Sequence, residues 1–216
     1  MTDVFLLHGA GATPATLLPL EVSLRECGHT RIHRFRYPVS ELPFEECLDA
    51  LSEHMETLVS KTSPVILIGQ SIGGVFANNL HRKGWTNIVL SIYVASPLSG
   101  ARLLSQLKRI VPKCLWNYIC RGRHVQYEYL MEKGPEDEPP HEYATISTSW
   151  PLLTIDGCVY QDETMLDPDY HHHIPWSTHW TLFSTPALAR KVHDLIKDAE
   201  NDKEIDVIVS GYVMVL

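Results

Sequence analysis

The sequence predicts an α/β fold, a mostly parallel central sheet flanked by helices. Three observations lead there. Short, wholly apolar runs alternate with amphipathic stretches along the chain. Three of those runs, Val4-Leu7, Val65-Ile68 and Ile88-Ala95, end in turns rich in glycine or serine, where a strand would hand over to a helix. The chain has 216 residues, 44% of them hydrophobic and 20% charged, which fits one globular domain over 1–216.

Taken in order, Val4-Leu7 reads as a first buried strand. Pro14 to about Cys27 reads as a helix with Thr13 as its N-cap, stopped by Gly28. The alternation from Ile32 to Tyr37 suits an outer strand. Phe44 to Lys61 repeats Leu48, Leu51, Met55, Leu58 and Val59 at helical spacing. Val65-Ile68 is a central strand, followed by a helix to about His81, and Ile88-Ala95 is the next central strand. Between Ser99 and Pro140 the pattern changes to short helices broken at Pro112, then a proline-rich acidic loop over 133–140. A strand resumes near Tyr143-Ser147, another precedes Trp176, and Thr185 to Ala199 is a last amphipathic helix. The tail Ile205-Leu216 is apolar enough for one added strand.

A formal net charge of −8 argues against nucleic acid or an anionic membrane as the main partner, since both reward a basic surface. Lys108-Arg109 and Arg121-Arg123 form only a local basic spot. No apolar run approaches the roughly 18 to 20 residues of a membrane span. Five cysteines without a C-x-x-C pair read as reduced thiols. With no signal-peptide pattern at Met1-Leu7, the expected location is the cytoplasm.

The chemistry concentrates at Gly69-Gln70-Ser71-Ile72-Gly73. A serine on a sharp strand-to-helix turn needs small neighbours two residues away on either side, because backbone crowds there. Such a turn lifts the hydroxyl to the carboxyl edge of the sheet and aims a helix N-terminus at developing negative charge. The competing reading is a tight structural turn with a surface serine. His8-Gly9-Ala10-Gly11 ends the first strand and should face the same crevice. Its backbone N–H groups, chiefly that of Ala10, can pair with the N–H of Ile72 as an oxyanion hole, with His8 bracing the loop. The loop lacks both the G-x-G-x-x-G spacing and a P-loop lysine.

An H-G-x-G loop, a G-x-S-x-G elbow and downstream Asp and His candidates together resemble the α/β-hydrolase superfamily, and the short chain resembles its minimal lipases and esterases. The likeness spans about Val4 to Lys197 and implies the α/β-hydrolase fold with a triad in the order Ser, acid, His. For the acid, Asp156-Gly157-Cys158-Val159 resembles the family's D-G-x-V turn. Asp162 is the alternative, with Asp167 and Asp169 behind it. For the base, His179 stands just ahead of the closing helix, and His171, His172 and His173 are its rivals.

Three consecutive histidines also raise a metal reading. In an extended segment, however, they point to alternate faces, and no carboxylate or cysteine cluster completes a zinc pattern. No metal or organic cofactor is therefore expected. Residues 99–140 fall where the family inserts a lid. Leu103, Leu107, Ile110, Leu115, Trp116 and Ile119 would cover the crevice there, or else pack on the core.

The resemblance implies a serine hydrolase with Ser71, Asp156 and His179 as triad and Ala10 and Ile72 as oxyanion donors. Its substrate would be a small-molecule or lipid acyl ester. A thioesterase, an amidase and a non-catalytic ligand-binding protein on the same scaffold stay open, and the oligomeric state is not legible.

Overall fold

A computed structural model describes the chain except residues 1, 40, 120–127, 132–136, 150–155, 157 and 214–216, with backbone only for 117–119 and 202–213. Six strands form one sheet: β1 (Asp3–Leu7), β2 (Ile32–Arg34), β3 (Val65–Gln70), β4 (Ile88–Val94), β5 (Glu142–Ser149) and β6 (His171–Pro175). Their order is β2-β1-β3-β4-β5-β6, and every pairing is parallel. After β1 the chain steps to one side, and from β3 onward it steps to the other. The strand order therefore reverses between β1 and β3, and a crevice opens outside their carboxyl ends at such a reversal.

Helices cover both faces. α1 (Leu18–Glu26) and α7 (Pro186–Val213) bury Leu20, Leu24, Leu188, Val192 and Ile196 against Leu6, Ile68 and Ile92 of the sheet. α2 (Phe44–Glu56) and α3 (Ile72–Asn79) pack Leu48, Leu51, Val75 and Phe76 against Phe5, Leu7, Leu67 and Tyr93. Because β1, β3 and β4 are buried on both faces, they read as unbroken apolar runs in the sequence. Each fully buried Leu or Ile contributes about 1.5 to 3 kcal/mol. The insertion between β4 and β5 carries α4 (Arg102–Ile110) and α5 (Lys113–Ile119), separated at Pro112. A short α6 (Gln161–Thr164) precedes β6.

Several expected boundaries are corrected. The segment from Pro14 starts as a 3-10 turn, Pro14–Leu17, because Pro19 has no N–H to continue an α-helical ladder; Thr13 caps with no side-chain hydrogen bond. β2 stops at Arg34 because Tyr37 turns inward and donates its hydroxyl hydrogen to the carbonyl of His8. α2 ends at Glu56, where the Thr57 hydroxyl bonds back to His54 O at 2.7 Å. The tail is not an added strand: α7 runs on to Val213, and no glycine or proline interrupts it between Ala187 and Ser210. The loop over 133–140, Cys120 and Arg121-Arg123 lie wholly or partly outside the described residues. Among the described residues, Cys27, Cys47, Cys114 and Cys158 are free thiols, and no helix is long and apolar enough to cross a membrane.

His171 and His173 do fall on one face of β6 and His172 on the other. His171 bonds the hydroxyls of Thr145 and Ser147 (2.7 and 2.9 Å), and His173 those of Ser147 and Ser149 (3.0 and 3.2 Å). No group of three or more His, Cys, Asp or Glu among the described residues is arranged to hold a metal ion.

Histidine burial gives the fold a pH dependence. Burial, helped by nearby His81, pushes His141 down to about 4, and its Nε2 sits 2.8 Å from Ser91 Oγ. Burial also lowers His171, His172 and His173. Unfolded histidine titrates near 6.5, so the neutral rings favour the folded state above about pH 6.5 and lose that contribution as pH falls towards about 4. Thermal melts should show Tm falling steeply across that window, and His141→Gln should flatten the fall. A Tm independent of pH there would contradict this account.

Candidate active site

Ser71 carries the chain from β3 into α3 at φ 54° and ψ −127°, a conformation that costs a non-glycine residue about 1 to 3 kcal/mol. Neighbouring backbone enforces it. The Ser71 N–H donates to Val94 O of β4 (2.9 Å), and Ser71 O accepts from the Gly74 N–H (2.9 Å). A Cβ on Gly69 would overlap Gly74 Cα, and one on Gly73 would overlap the carbonyl oxygen of Leu7. The two glycines of the pentapeptide are thus required by space: the first turn of α3 lies directly on the end of β1.

That contact brings the His8-Gly11 loop beside the serine. A Cβ on Gly9 would come within 3.0 Å of Ser71 Cβ. Two side chains that the sequence reading did not single out hold the loop. Gln70 Oε1 accepts the Gly9 N–H at 3.4 Å, and the Tyr37 hydroxyl donates to His8 O. Gln70 occupies the variable position of the elbow, so no pattern marks it; Tyr37 looked like an ordinary strand residue. His8 is buried, with Nδ1 3.1 Å from Gly9 O, and burial of its ring lowers its pKa, keeping it neutral at physiological pH. N–H groups in the first turn of a helix have no partner inside it, so that of Ile72 is available beside Ser71.

Of the candidate carboxylates, Asp156 is the one placed against His179. Its Oδ2 lies 2.7 Å from His179 Nδ1, and the His179 backbone N–H donates to Asp156 O at 3.0 Å. Asp156 is 1% exposed, and its Oδ1 accepts the N–H groups of Cys158 (2.8 Å) and Val159 (2.7 Å). In the tautomer whose Nδ1–H donates to this carboxylate, Nε2 is the ring nitrogen left to accept a proton. Asp162 is exposed and pairs with Arg102, Asp167 Oδ1 accepts the N–H of Asp169, and His171–His173 belong to the β5–β6 ladder. Gly157 is outside the described residues.

Ser71, Ile72, Ala10 and His179 line one cavity of about 320 Å³. Its apolar walls come from Pro97, from Leu103, Leu104 and Leu107 of α4, and from Leu130 and Val159. Trp116 is buried, whereas Ile110 and Leu115 point to solvent. Among the described residues no hydrogen bond joins Ser71 Oγ to His179; such bonds are often loose without substrate. A larger cavity of about 600 Å³, lined by Arg102, Gln106, Tyr160 and Asp162, lies on the polar side of α4.

The insertion is fastened to the segment that carries Asp156. Buried Glu163 accepts the Arg102 backbone N–H (2.6 Å), the Arg102 Nε (3.1 Å) and the Tyr160 N–H (2.9 Å). The Arg102 guanidinium also lies over the Tyr160 ring, 4.8 Å from its centroid.

No family model and no curated protein matches this sequence. Solved structures do match. A thermophilic esterase from Thermogutta terrifontis, with malate bound, shares 14% identity at a TM-score of 0.57 over 92% of this chain and 90% of that one. An N-acyl homoserine lactonase, AidH, complexed with N-butanoyl homoserine, shares 15% at 0.63 over 92% and 90%. An extracellular α/β-hydrolase from a Paenibacillus species shares 16% at 0.55 over 92% and 99%. At such identities the likeness establishes the fold alone: this chain has the α/β-hydrolase fold.

Two outcomes follow from the packing. Gly73→Ala should destabilise the protein by about 1 to 3 kcal/mol in urea unfolding, because the new methyl must displace the Leu7 carbonyl. Burial, with Asp156 adding to it, pushes the Cys158 thiol up to about 12, whereas Cys27 and Cys114 are exposed. Iodoacetamide at neutral pH, mapped by mass spectrometry, should therefore modify Cys27 and Cys114 well before Cys158. Early modification of Cys158 would refute that environment.

Proposed function

We propose that this protein is a serine hydrolase that cleaves carboxylic esters through an acyl-enzyme on Ser71. One observation carries the reading. A histidine fastened on its far side to a buried carboxylate shares a cavity with a serine held on a positive-φ turn. In this mechanism His179 Nε2 takes the Ser71 proton as Oγ attacks the ester carbonyl. Asp156 keeps the ring in the tautomer that can do so and stabilises the imidazolium. The N–H groups of Ala10 and Ile72 hold the oxyanion, and the dipole of α3 adds to them. His179 then protonates the departing alcohol, and a water activated by the same ring releases the acid.

Residues 99–140 serve as the lid of a single domain spanning 1–216, with the α4 leucines against the acyl group. The free thiols agree with a cytoplasmic location. Thioesters and amides could enter the same mechanism, so the choice among acyl substrates rests on the cavity walls.

A fluorophosphonate probe should label the wild-type protein and leave Ser71→Ala unlabelled. Asp156→Asn should reduce kcat for a short-chain ester by about 10⁴-fold, because it permits the wrong imidazole tautomer, while Asp162→Asn should change it little. Failure of the folded wild-type protein to label would instead favour a ligand-binding role on the same scaffold.

A further inference from the structure

At the opposite end of the sheet from Ser71, two histidines 164 residues apart in the sequence meet nitrogen to nitrogen. His29 Nε2 lies 2.9 Å from His193 Nδ1, and the two rings stand at 70° to each other. Both line a cavity of about 350 Å³, shared with Cys27, Arg31, Lys197 and Glu200. Thr2 and Gly28 also line it, and they precede β1 and β2, so the cavity lies beyond the amino ends of the strands.

Rigid backbone carries both imidazoles. Gly28, at φ 98°, closes α1: its N–H donates to Arg25 O (3.0 Å), and that of His29 donates to Leu24 O (3.1 Å). That pair of bonds is a left-handed helix ending, and it fixes where His29 stands. His193 lies on α7 among Val192 and Ile196, which are buried in the core. A hydrogen bond between two neutral imidazoles occupies one N–H and one lone pair. When the shared proton moves to the far nitrogen of its own ring, two lone pairs face one point, and no net proton is lost. Burial lowers the pKa of His29, so at neutral pH protonation does not compete for that ring.

We propose that His29 and His193 bind a divalent transition-metal ion of the zinc class, which fastens α7 to the end of α1. Zinc holds imidazole nitrogens at about 2.0 to 2.1 Å, which sets two tetrahedral ligands about 3.3 Å apart. The rings thus have to part by only about half an ångström from their present separation. Imidazole suits such ions, whereas Mg²⁺ and Ca²⁺ take oxygen ligands. Glu200 acts electrostatically on His29 and offsets the charge of the ion. Of the two cations on the cavity, Arg31 is held by Asp3 at 2.6 Å, and Lys197 is exposed to solvent. No third protein ligand is in place among the described residues, so water completes the coordination. The histidines of β6 differ, since both ring nitrogens of His171 and of His173 already meet hydroxyl groups. The site needs no hydrolytic step and stands apart from the reading of Ser71.

The test is calorimetric titration of the full chain with Zn²⁺ in a buffer that does not bind the metal, with thermal melts alongside. A single Zn²⁺ should bind at micromolar concentrations, and Tm should rise with Zn²⁺ because the unfolded chain lacks the preformed pair. His29→Gln and His193→Gln should each weaken binding by at least about tenfold, and His171→Gln with His173→Gln should leave it unchanged. In the wild-type protein, Zn²⁺ should also protect His29 and His193 from diethyl pyrocarbonate, mapped by mass spectrometry, a readout independent of how the variants fold. No binding, binding that survives both single substitutions, absence of protection, or loss of binding in the His171 and His173 double variant would overturn the proposal. Protection by inorganic phosphate but not by Zn²⁺ would assign the cavity to an anion held by Arg31 and Lys197, and would overturn it as well.

Discussion

Where α3 begins, main chain lies against main chain. Gly73 sits on the Leu7 carbonyl and Gly69 sits on Gly74, with no side chain between them. This approach fixes the angle at which α3 leaves the sheet and, with it, the unusual backbone of Ser71. It also sets the distance between the β1 loop and the β3 turn, because both segments hang from that contact. Gln70 and Tyr37 then hold the loop from two sides, through Gly9 and through His8. Interiors packed to crystal density transmit such constraints with little slack. The geometry around Ser71 is therefore a property of the sheet and not of a loose surface loop.

A second device organises the far side of the crevice. The segment 156–163 begins with a carboxylate that grips His179 and ends with one that grips α4. Each is buried, and each takes part in three hydrogen bonds, as a buried polar side chain requires. Between them, Val159 contributes to the cavity wall. The histidine, the wall and the insertion helix thus share one short piece of backbone.

Legibility in the sequence followed the origin of each feature. The central strands were plain because burial on both faces leaves an unbroken apolar run, and the elbow was plain because only glycine fits there. The choice between Asp156 and Asp162 was not, since both lie in polar segments before β6; in the structure only Asp156 is buried and set against His179. Glu163 gave no signal at all, as an acidic residue in a short helix looks like solvated surface until Arg102 is seen across from it. The edges of elements were misread where a long-range bond overrode local preference, as with Tyr37 cutting β2 short. The tail was misread for another reason. Apolar content alone cannot distinguish a strand from a helix, and the uninterrupted helical stretch before it was the better guide.

The polarity of α4 has a consequence for how such a protein diversifies. Its leucines form part of the cavity wall, while Arg102, at the head of the same helix, secures it to Glu163. Recognition and attachment are thereby written on different faces of one element. Changes in size at Leu103 and Leu107 would reshape the cavity, whereas Leu104 also packs the helix against the core. A change at Glu163 would instead release Arg102 and the Tyr160 N–H together. The shape of the cavity can thus change by gradual steps on one face of a single helix, while the Arg102–Glu163 attachment stays in place.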